Sequence, residues 1–301
     1  MDSSNIYDKV REHYSTASRG TSVKYGEAVA KSFGYSADEL ANIPQDANLG
    51  LSCGNPLAIA SLKEGETVVD LGCGAGFDVF LASKKVGLSG RAIGVDMNDD
   101  MLARANQILS SSTSATDNNI TFLKANITSI PLPNNTVDCI ISNCVINLVP
   151  HADKPAVFGE MYRLLRPGGG RVAVSDILAK KPLPKRLRDD LAMYVGCIAG
   201  AAQIAEYRVW LEAAGFRDVM IVDTEADLNV YLETGEDGER KRADGCCVPA
   251  GGDGGCCSSK TQTVPSSAPA SSGCSVPVGM VSEKTDLNEF VGSYKIFAVK
   301  N

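Results

Sequence analysis

VVDLGCGAGFD, running from Val68 to Asp78, decides the fold. A short apolar run, Thr67–Leu71, carries the acid Asp70 near its end and then meets glycine at every second position: Gly72, Gly74 and Gly76. Apolar residues at helical spacing resume through Val79–Val86. The order is strand, glycine turn, helix. Glycine lets a backbone approach a ligand closely, and a helix N-terminus offers it unpaired N–H groups. The next apolar run ends in IGVDM, which places Asp96 about twenty residues beyond the glycines, where a carboxylate can accept hydrogen bonds from ribose hydroxyls. The glycines by themselves also suit a plain tight corner between strand and helix. The dinucleotide fingerprint is spaced G-x-G-x-x-G, whereas here the spacing is G-x-G-x-G behind an acidic strand end.

Working outward, strands and helices alternate. Strands are expected at Thr67–Leu71, Ala92–Val95, Ile120–Leu123, Val137–Ser142, Arg171–Ser175, Val219–Val222 and Tyr294–Val299. Helices are expected at Asp99–Leu109, at Lys154–Leu165 up to the breaker Pro167-Gly168-Gly169, and onward through Ala214 to Gly215. Such alternation predicts an α/β fold, a mostly parallel seven-stranded sheet with helices on both faces. Ligands of such sheets bind outside the carboxyl ends of the strands.

Composition narrows the function. The chain has 301 residues, 44% hydrophobic and 22% charged, with net charge −7 and a pI near 5.0. An acidic chain lacks the basic face that a general nucleic-acid binder needs. No apolar run is long enough to span a membrane. The start, MDSSNIYDKV, has neither a basic n-region nor an apolar h-region, so a cytoplasmic location is expected. Disulfides are rare there, and the 10 cysteines call for burial, catalysis or soft-metal binding instead. Five of them (Cys246, Cys247, Cys256, Cys257 and Cys274) fall in one stretch rich in Gly, Ser, Pro and Ala. That composition buries too little apolar surface to offset its ordering entropy, so residues 235–284 are expected to be a disordered insertion. The expected organisation is an N-terminal helical or lid segment (1–60), a main domain (61–234), this insertion, and a returning final strand (285–301).

At DLGCGAG, with Asp96 after it, the sequence resembles motif I and the acidic loop of class I S-adenosylmethionine-dependent methyltransferases. LKANITSIPLP (Leu123–Pro133), VDCIISNCVINL and EMYRLLRPGGGRV (Glu160–Val172) resemble further segments of that Rossmann-like family. The resemblance implies S-adenosyl-L-methionine as cofactor. It implies a binding wall of Asp70, Gly72, Cys73, Gly74, Gly76, Asp96, Met97, Asn126, Ile127 and Asn143. Asn126 stands where the family usually has an acid; its carbonyl can still accept a hydrogen bond from the adenine amino group.

Methyl transfer is an in-line displacement, and oxygen or nitrogen acceptors commonly need a general base. Bases are scarce here: the chain has 2 histidines, and His151, after Pro150, reads as solvated surface. Cysteines are better placed. Cys144 follows the fourth strand, Cys197 lies in MYVGCIAGA beyond the fifth, and Cys53 lies in NLGLSCGNP before the first, placed to fold over the site. Each could be a small buried hydrophobe. Together they suit a soft trigonal acceptor such as trivalent arsenic, whose lone pair attacks without a proton to remove. Zinc is the rival, but it prefers four ligands and has no nucleophilic lone pair. Cys139, on the fourth strand, reads as core.

NLGLSCGNP, SNCVINLVP and VGCIAGA, with the longer GYSADELANIPQDANLGLSCGNP (Gly34–Pro56), resemble arsenite S-adenosylmethionine methyltransferases. The resemblance implies that Cys53, Cys144 and Cys197 ligate arsenic during catalysis. It implies arsenite or methylarsenite as substrate and a thiol reductant, glutathione or thioredoxin, as co-substrate. Many members carry a further upstream cysteine that forms a disulfide relay with the lid cysteine, whereas residues 1–52 here hold none. That departure bears on the redox route and on the number of methyl groups added. The tail pairs Cys246-Cys247 and Cys256-Cys257 could deliver a metalloid to the site or be a dispensable linker. Two other readings stand beside this one: a small-molecule C- or O-methyltransferase with structural cysteines, and a non-catalytic metalloid-binding protein.

Overall fold

The computed structural model of the chain describes residues 3–18, 22–188, 194, 196–229 and 286–301, the Arg186 side chain apart. The cysteine-rich insertion expected at 235–284 lies outside the described residues.

Seven strands form one sheet in the order β3-β2-β1-β4-β5-β7-β6. They are β1 (Thr67–Leu71), β2 (Arg91–Asp96), β3 (Ile120–Lys124), β4 (Cys139–Asn143), β5 (Gly170–Ala179), β6 (Arg217–Asp223) and β7 (Val291–Lys300). β1 to β5 are parallel, and β7 runs antiparallel between β5 and β6. The chain steps from β1 outward to β3 and returns to β4 on the other side of β1. This reversal opens a crevice at the carboxyl ends of β1 and β4, the switch point at which such sheets bind ligands.

Successive residues of a strand face opposite sides of the sheet. Val68, Cys139 and Ile141 pack with α5 (Phe77–Val86) and α6 (Asp99–Ser111), while Val69, Leu71 and Ile140 pack with α7 (Lys154–Leu164) and α9 (Ile204–Ala214). Both faces are thus covered, which is why the central strands read as continuous apolar runs rather than alternating ones. The expected stop after Ala214 is a left-handed cap at Gly215. β5 and β7 are longer than expected, at 10 residues each. They pair along their full length, so β5 carries polar residues such as Asp176 and Ser175 deep into the sheet.

A third cluster closes the carboxyl end. Val10 from α1 (Ser3–Ala17) and Tyr25 and Val29 from α2 (Val23–Ser32) meet Cys53, Cys144, Cys197, Leu148, Ile177 and Val291 there. Short helices α3 (Ala37–Ala41) and α4 (Leu57–Ala60) bracket the Cys53 loop, and α8 (Lys185–Arg188) follows β5.

Candidate functional site

The site grows from the glycine turn. Gly72, Gly74 and Gly76 all have positive φ, at 68°, 52° and 92°. The turn is pinned by the Gly72 and Cys73 N–H groups, which donate to the Val95 carbonyl at 2.7 and 3.0 Å. Asp96 braces it as well: its carboxylate accepts from Gly74 N at 2.9 Å and from Asn98 N at 2.8 Å. Burial raises the Asp96 pKa against these donors. Asp70, fully buried beside Asp78 and Asp96, is pushed up by desolvation and then by their charges.

A pocket with a void of about 1050 Å³, open mouth included, lies over this turn, large enough for a nucleoside-sized ligand. Asp70, Gly72, Cys73, Gly74, Asp96, Met97, Asn126, Ile127 and Asn143, all of the wall that the family resemblance implies except Gly76, line it. Gly76 does not; it caps α5, and a Cβ there would lie 2.8 Å from the Phe122 ring, so its role is packing. Asn126, on the pocket wall, is also held locally. Its carbonyl accepts from its neighbour Thr128, N–H at 3.1 Å and hydroxyl at 3.0 Å, because a short amide side chain readily bonds the backbone two residues on.

The sequence reading missed the pocket's roof. Tyr7, Val10, Arg11 and Tyr14 of α1 line it from above. The Tyr7 hydroxyl donates to Asp153 at 3.2 Å, and Asn98, the N-cap of α6, donates to the Arg11 carbonyl at 2.9 Å. Burial and the Asp153 charge push the Tyr7 phenol up to about 12, so it stays a donor. The visible signal was an amphipathic first helix, SSNIYDKVREHYSTA, with no obvious partner.

Asn143, at the end of β4, joins the pocket to the Cys53 loop. Its amide nitrogen donates to Tyr35 Oη (2.9 Å), Gly54 O (2.9 Å) and Asp78 Oδ2 (3.0 Å), and its Oδ1 accepts from Cys53 N at 3.2 Å. Tyr35 donates to Asp78 at 2.7 Å. Burial lifts Asp78 to about 6 against these two hydrogen bonds. From the other side the Ser293 hydroxyl of β7 donates to Cys53 O at 2.6 Å. The loop must touch β5 closely, since a Cβ on Gly54 would lie 2.6 Å from Ser175 Cβ.

Cys53, Cys144 and Cys197 come together, but not as three separate thiols. Cys53 and Cys144 form a disulfide, 91 residues apart in sequence and 5.8 Å between Cα atoms. This corrects the expectation, drawn from compartment, that the cysteines are unpaired: the two loops converge on one side of β5, close enough to bond. Cys197 stands outside the disulfide and its thiol donates to Cys144 O at 2.8 Å. Cys144 and Cys197 both have positive φ, 60° and 66°, an uncommon setting for a residue with a side chain. All three are buried, and of the three only Cys144 lines the pocket. Cys73 lines the pocket and Cys139 is core, both as expected.

A carboxylate missing from the sequence reading completes the group. An oxygen of Asp176 and the sulfurs of Cys53 and Cys144 all lie within 4.8 Å of one another. Asp176 is fully buried and accepts from Tyr207 Oη (2.5 Å), Asn147 Nδ2 (2.9 Å) and Ile177 N (2.9 Å). Burial raises it to about 6, against the pull of Tyr207 and of the Lys154 charge. Lys154, also buried, donates to Ile146 O at 2.6 Å, and burial lowers it to about 8. The clue was an acid inside the apolar run VAVSDIL. His151 is exposed as expected, 3.2 Å from Glu206.

Comparison with known proteins follows the same lines. The chain is 40% identical over 222 residues to an arsenite methyltransferase of Halobacterium salinarum, covering 70% of this chain and 55% of that one. It is 37% identical over 175 residues to one of Aquipseudomonas alcaligenes, covering 57% and 49%. It therefore spans about half the length of the curated relatives it matches. A crystal structure of an arsenic(III) S-adenosylmethionine methyltransferase from Chlamydomonas reinhardtii shares the fold, with TM-score 0.52 and 24% identity over 91% of this chain and 73% of that one. The profile of a methyltransferase domain matches residues 62–215, just over half of the chain, and to that methyltransferase-domain family the chain belongs.

Proposed function

We propose that the chain transfers methyl groups from S-adenosylmethionine to trivalent arsenic held by Cys53, Cys144 and Cys197. One observation carries the reading: three cysteines from three distant loops gather in one buried cluster beside a glycine-turn pocket. A generic methyltransferase needs no such cluster.

The pocket's residues fit the cofactor. Gly74 leaves open space above the turn, where a Cβ would find only Met101 Sδ at 3.9 Å. Asp96 is held by two backbone donors with lone pairs left for ribose hydroxyls. The Ile127 backbone and the α1 roof would flank the adenine. The bound sulfonium supplies the methyl group. The chain's task is to aim arsenic at it from the Cys144 side and to exclude water with α1 and the Cys53 loop.

Arsenite enters by exchange: each thiol proton leaves with an arsenic-bound hydroxide as water, forming an As–S bond. The Cys53–Cys144 disulfide must first take up two electrons, as two external thiols become their own disulfide and pass their protons to the two cysteines. A cellular thiol, glutathione or thioredoxin, is the reductant of this reading, and the cytoplasm is where it would be met. Among the described residues no helix is long and apolar enough to cross a membrane.

The test is incubation of purified protein with arsenite, S-adenosylmethionine and a thiol, with methylated arsenicals and S-adenosylhomocysteine both quantified. Methylarsenicals formed in step with S-adenosylhomocysteine support the reading. Arsenic bound but never methylated would leave a metalloid-binding protein, and no arsenic bound would leave a methyltransferase with another acceptor.

A further inference from the structure

We infer that Asp176 stabilises the positive charge that arsenic acquires when it is methylated. The inference rests on the proposed arsenic chemistry and adds to it a residue that no thiol argument requires. When the arsenic lone pair forms the As–C bond, the C–S bond of the sulfonium breaks and its electron pair returns to sulfur. The donor ends as a neutral thioether. Neutral arsenic with three thiolates ends as a tetracoordinate cation. One unit of positive charge therefore moves from the pocket to the cysteine cluster.

Asp176 sits at the receiving end. Its carboxylate lies within 4.8 Å of the Cys53 and Cys144 sulfurs. It does not line the pocket. Its charge is thus felt more strongly at the acceptor than at the donor, the condition for speeding a step rather than merely tightening binding. The three hydrogen bonds to it, from Tyr207, Asn147 and the Ile177 N–H, all donate to the carboxylate. They fix it in place and suit an anion, and Lys154 adds a nearby positive charge that keeps it one. A fixed, desolvated anion aimed at a developing cation is an oxyanion hole with both signs reversed.

The fold tolerates the test. In Asp176→Asn the amide oxygen can accept from Asn147 and Ile177, while the amide nitrogen donates to the Tyr207 oxygen, so what is lost is the charge and the acceptor of the Tyr207 hydroxyl, the second of which Tyr207→Phe measures by itself. The full-length, reduced protein is loaded with one equivalent of arsenite and mixed with S-adenosylmethionine for a single turnover. Arsenic loading and cofactor affinity are measured separately. Asp176→Asn should slow the methyl-transfer step by roughly 10- to 100-fold, with loading and cofactor Kd within about twofold of wild type. Tyr207→Phe, which keeps the charge and removes one hydrogen bond, should slow it less than about threefold. Asp176→Ser is a second neutral variant and should lose as much as Asp176→Asn.

A neutral variant that loads arsenic and transfers methyl at the wild-type rate overturns the inference. So do equal losses in Asp176→Asn and Tyr207→Phe, or loss of both affinities in both neutral variants, which would assign Asp176 to the fold. A wild-type chain that loads no arsenic overturns the reading of the site and this inference together.

Discussion

Two glycines two residues apart should fail for different reasons when replaced by alanine. Gly72 has φ +68°, and a Cβ there would lie 2.5 Å from both methyl carbons of Val145. A left-handed alanine costs about 1–2 kcal/mol, and overpacking against this partly buried β-branched side chain adds about 1–3. The stiffer unfolded chain returns about 0.4–1 kcal/mol. Gly72→Ala should therefore destabilise by about 2–4 kcal/mol, lowering Tm by about 5–12 °C for a domain of this size. Gly74 has φ +52° and nothing nearer to its Cβ than Met101 Sδ at 3.9 Å. Gly74→Ala should cost only the backbone term, about 1 kcal/mol and a few degrees. That Cβ would instead occupy the pocket, so cofactor affinity should drop at least tenfold in a protein that is still folded. Thermal unfolding and calorimetric titration with S-adenosylhomocysteine measure the two losses. A Gly74→Ala protein with wild-type affinity would refute the reasoning, because the open space above the turn would then not be where the ligand lies.

Other predictions concern the two sites and their support. Cys144→Ser or Cys197→Ser should abolish arsenite methylation with cofactor affinity intact, whereas Cys53→Ser should spare methylarsenite, which needs two thiolates; full arsenite turnover in either of the first pair contradicts the triad. Asp96→Ala should weaken cofactor binding by about 1–3 kcal/mol in calorimetry. Arg171 grips Glu66 with two bonds of 2.9 and 2.7 Å, and the Glu66 pKa ends below its usual 4.5: desolvation would raise it, but the hydrogen bonds from Arg171 and the Lys63 N–H, with the Arg171 and Lys63 charges, outweigh that. Stability from that depression is present above the unfolded carboxylate pKa and is lost as pH falls through the folded value, so Glu66→Gln should flatten the acid limb of a stability-versus-pH curve. Replacing residues 246–277 by a Gly/Ser linker should leave turnover at saturating arsenite nearly unchanged and slow it at low arsenite; loss at saturation that excess thiol relieves would instead mark a tail cysteine as a redox partner.

The central sheet was readable because its strands are apolar throughout and its turns are punctuated by glycine and proline. β1 was bounded to the residue, and Asp96 emerged at the end of β2 where a ribose ligand is expected. The ends of β5 were not readable: Asp176 and Ser175 look like the exit from a strand, and only pairing with β7 across the whole of Gly170–Ala179 keeps them inside. The cysteine cluster was readable as three loops at one edge of the sheet. Its pairing was not, since residues 91 apart carry no local trace of contact. Asn126 was readable as a wall residue, but its local bonds were not: Thr128 donates to its carbonyl from both N–H and hydroxyl. The α1 roof failed for a similar reason. Helical periodicity reveals an apolar face but not what it covers.

The Cys53–Cys144 bond closes a covalent ring that contains β1, β2, β3 and β4, with α5 and α6 between them. For a ring of this size the chain-entropy account gives about 4–5 kcal/mol of stabilisation, taken from the freedom of the unfolded chain. On the proposed function the form that can load arsenic is the opened one, so the resting protein outlasts the working one. Purification without reductant will then favour the more heat-resistant and less competent state. Arsenite reverses the trade, because an atom bonded to Cys53, Cys144 and Cys197 closes the same ring and a second one. The substrate is in that sense a staple, and the reduced protein should melt at a higher temperature with arsenite than without it.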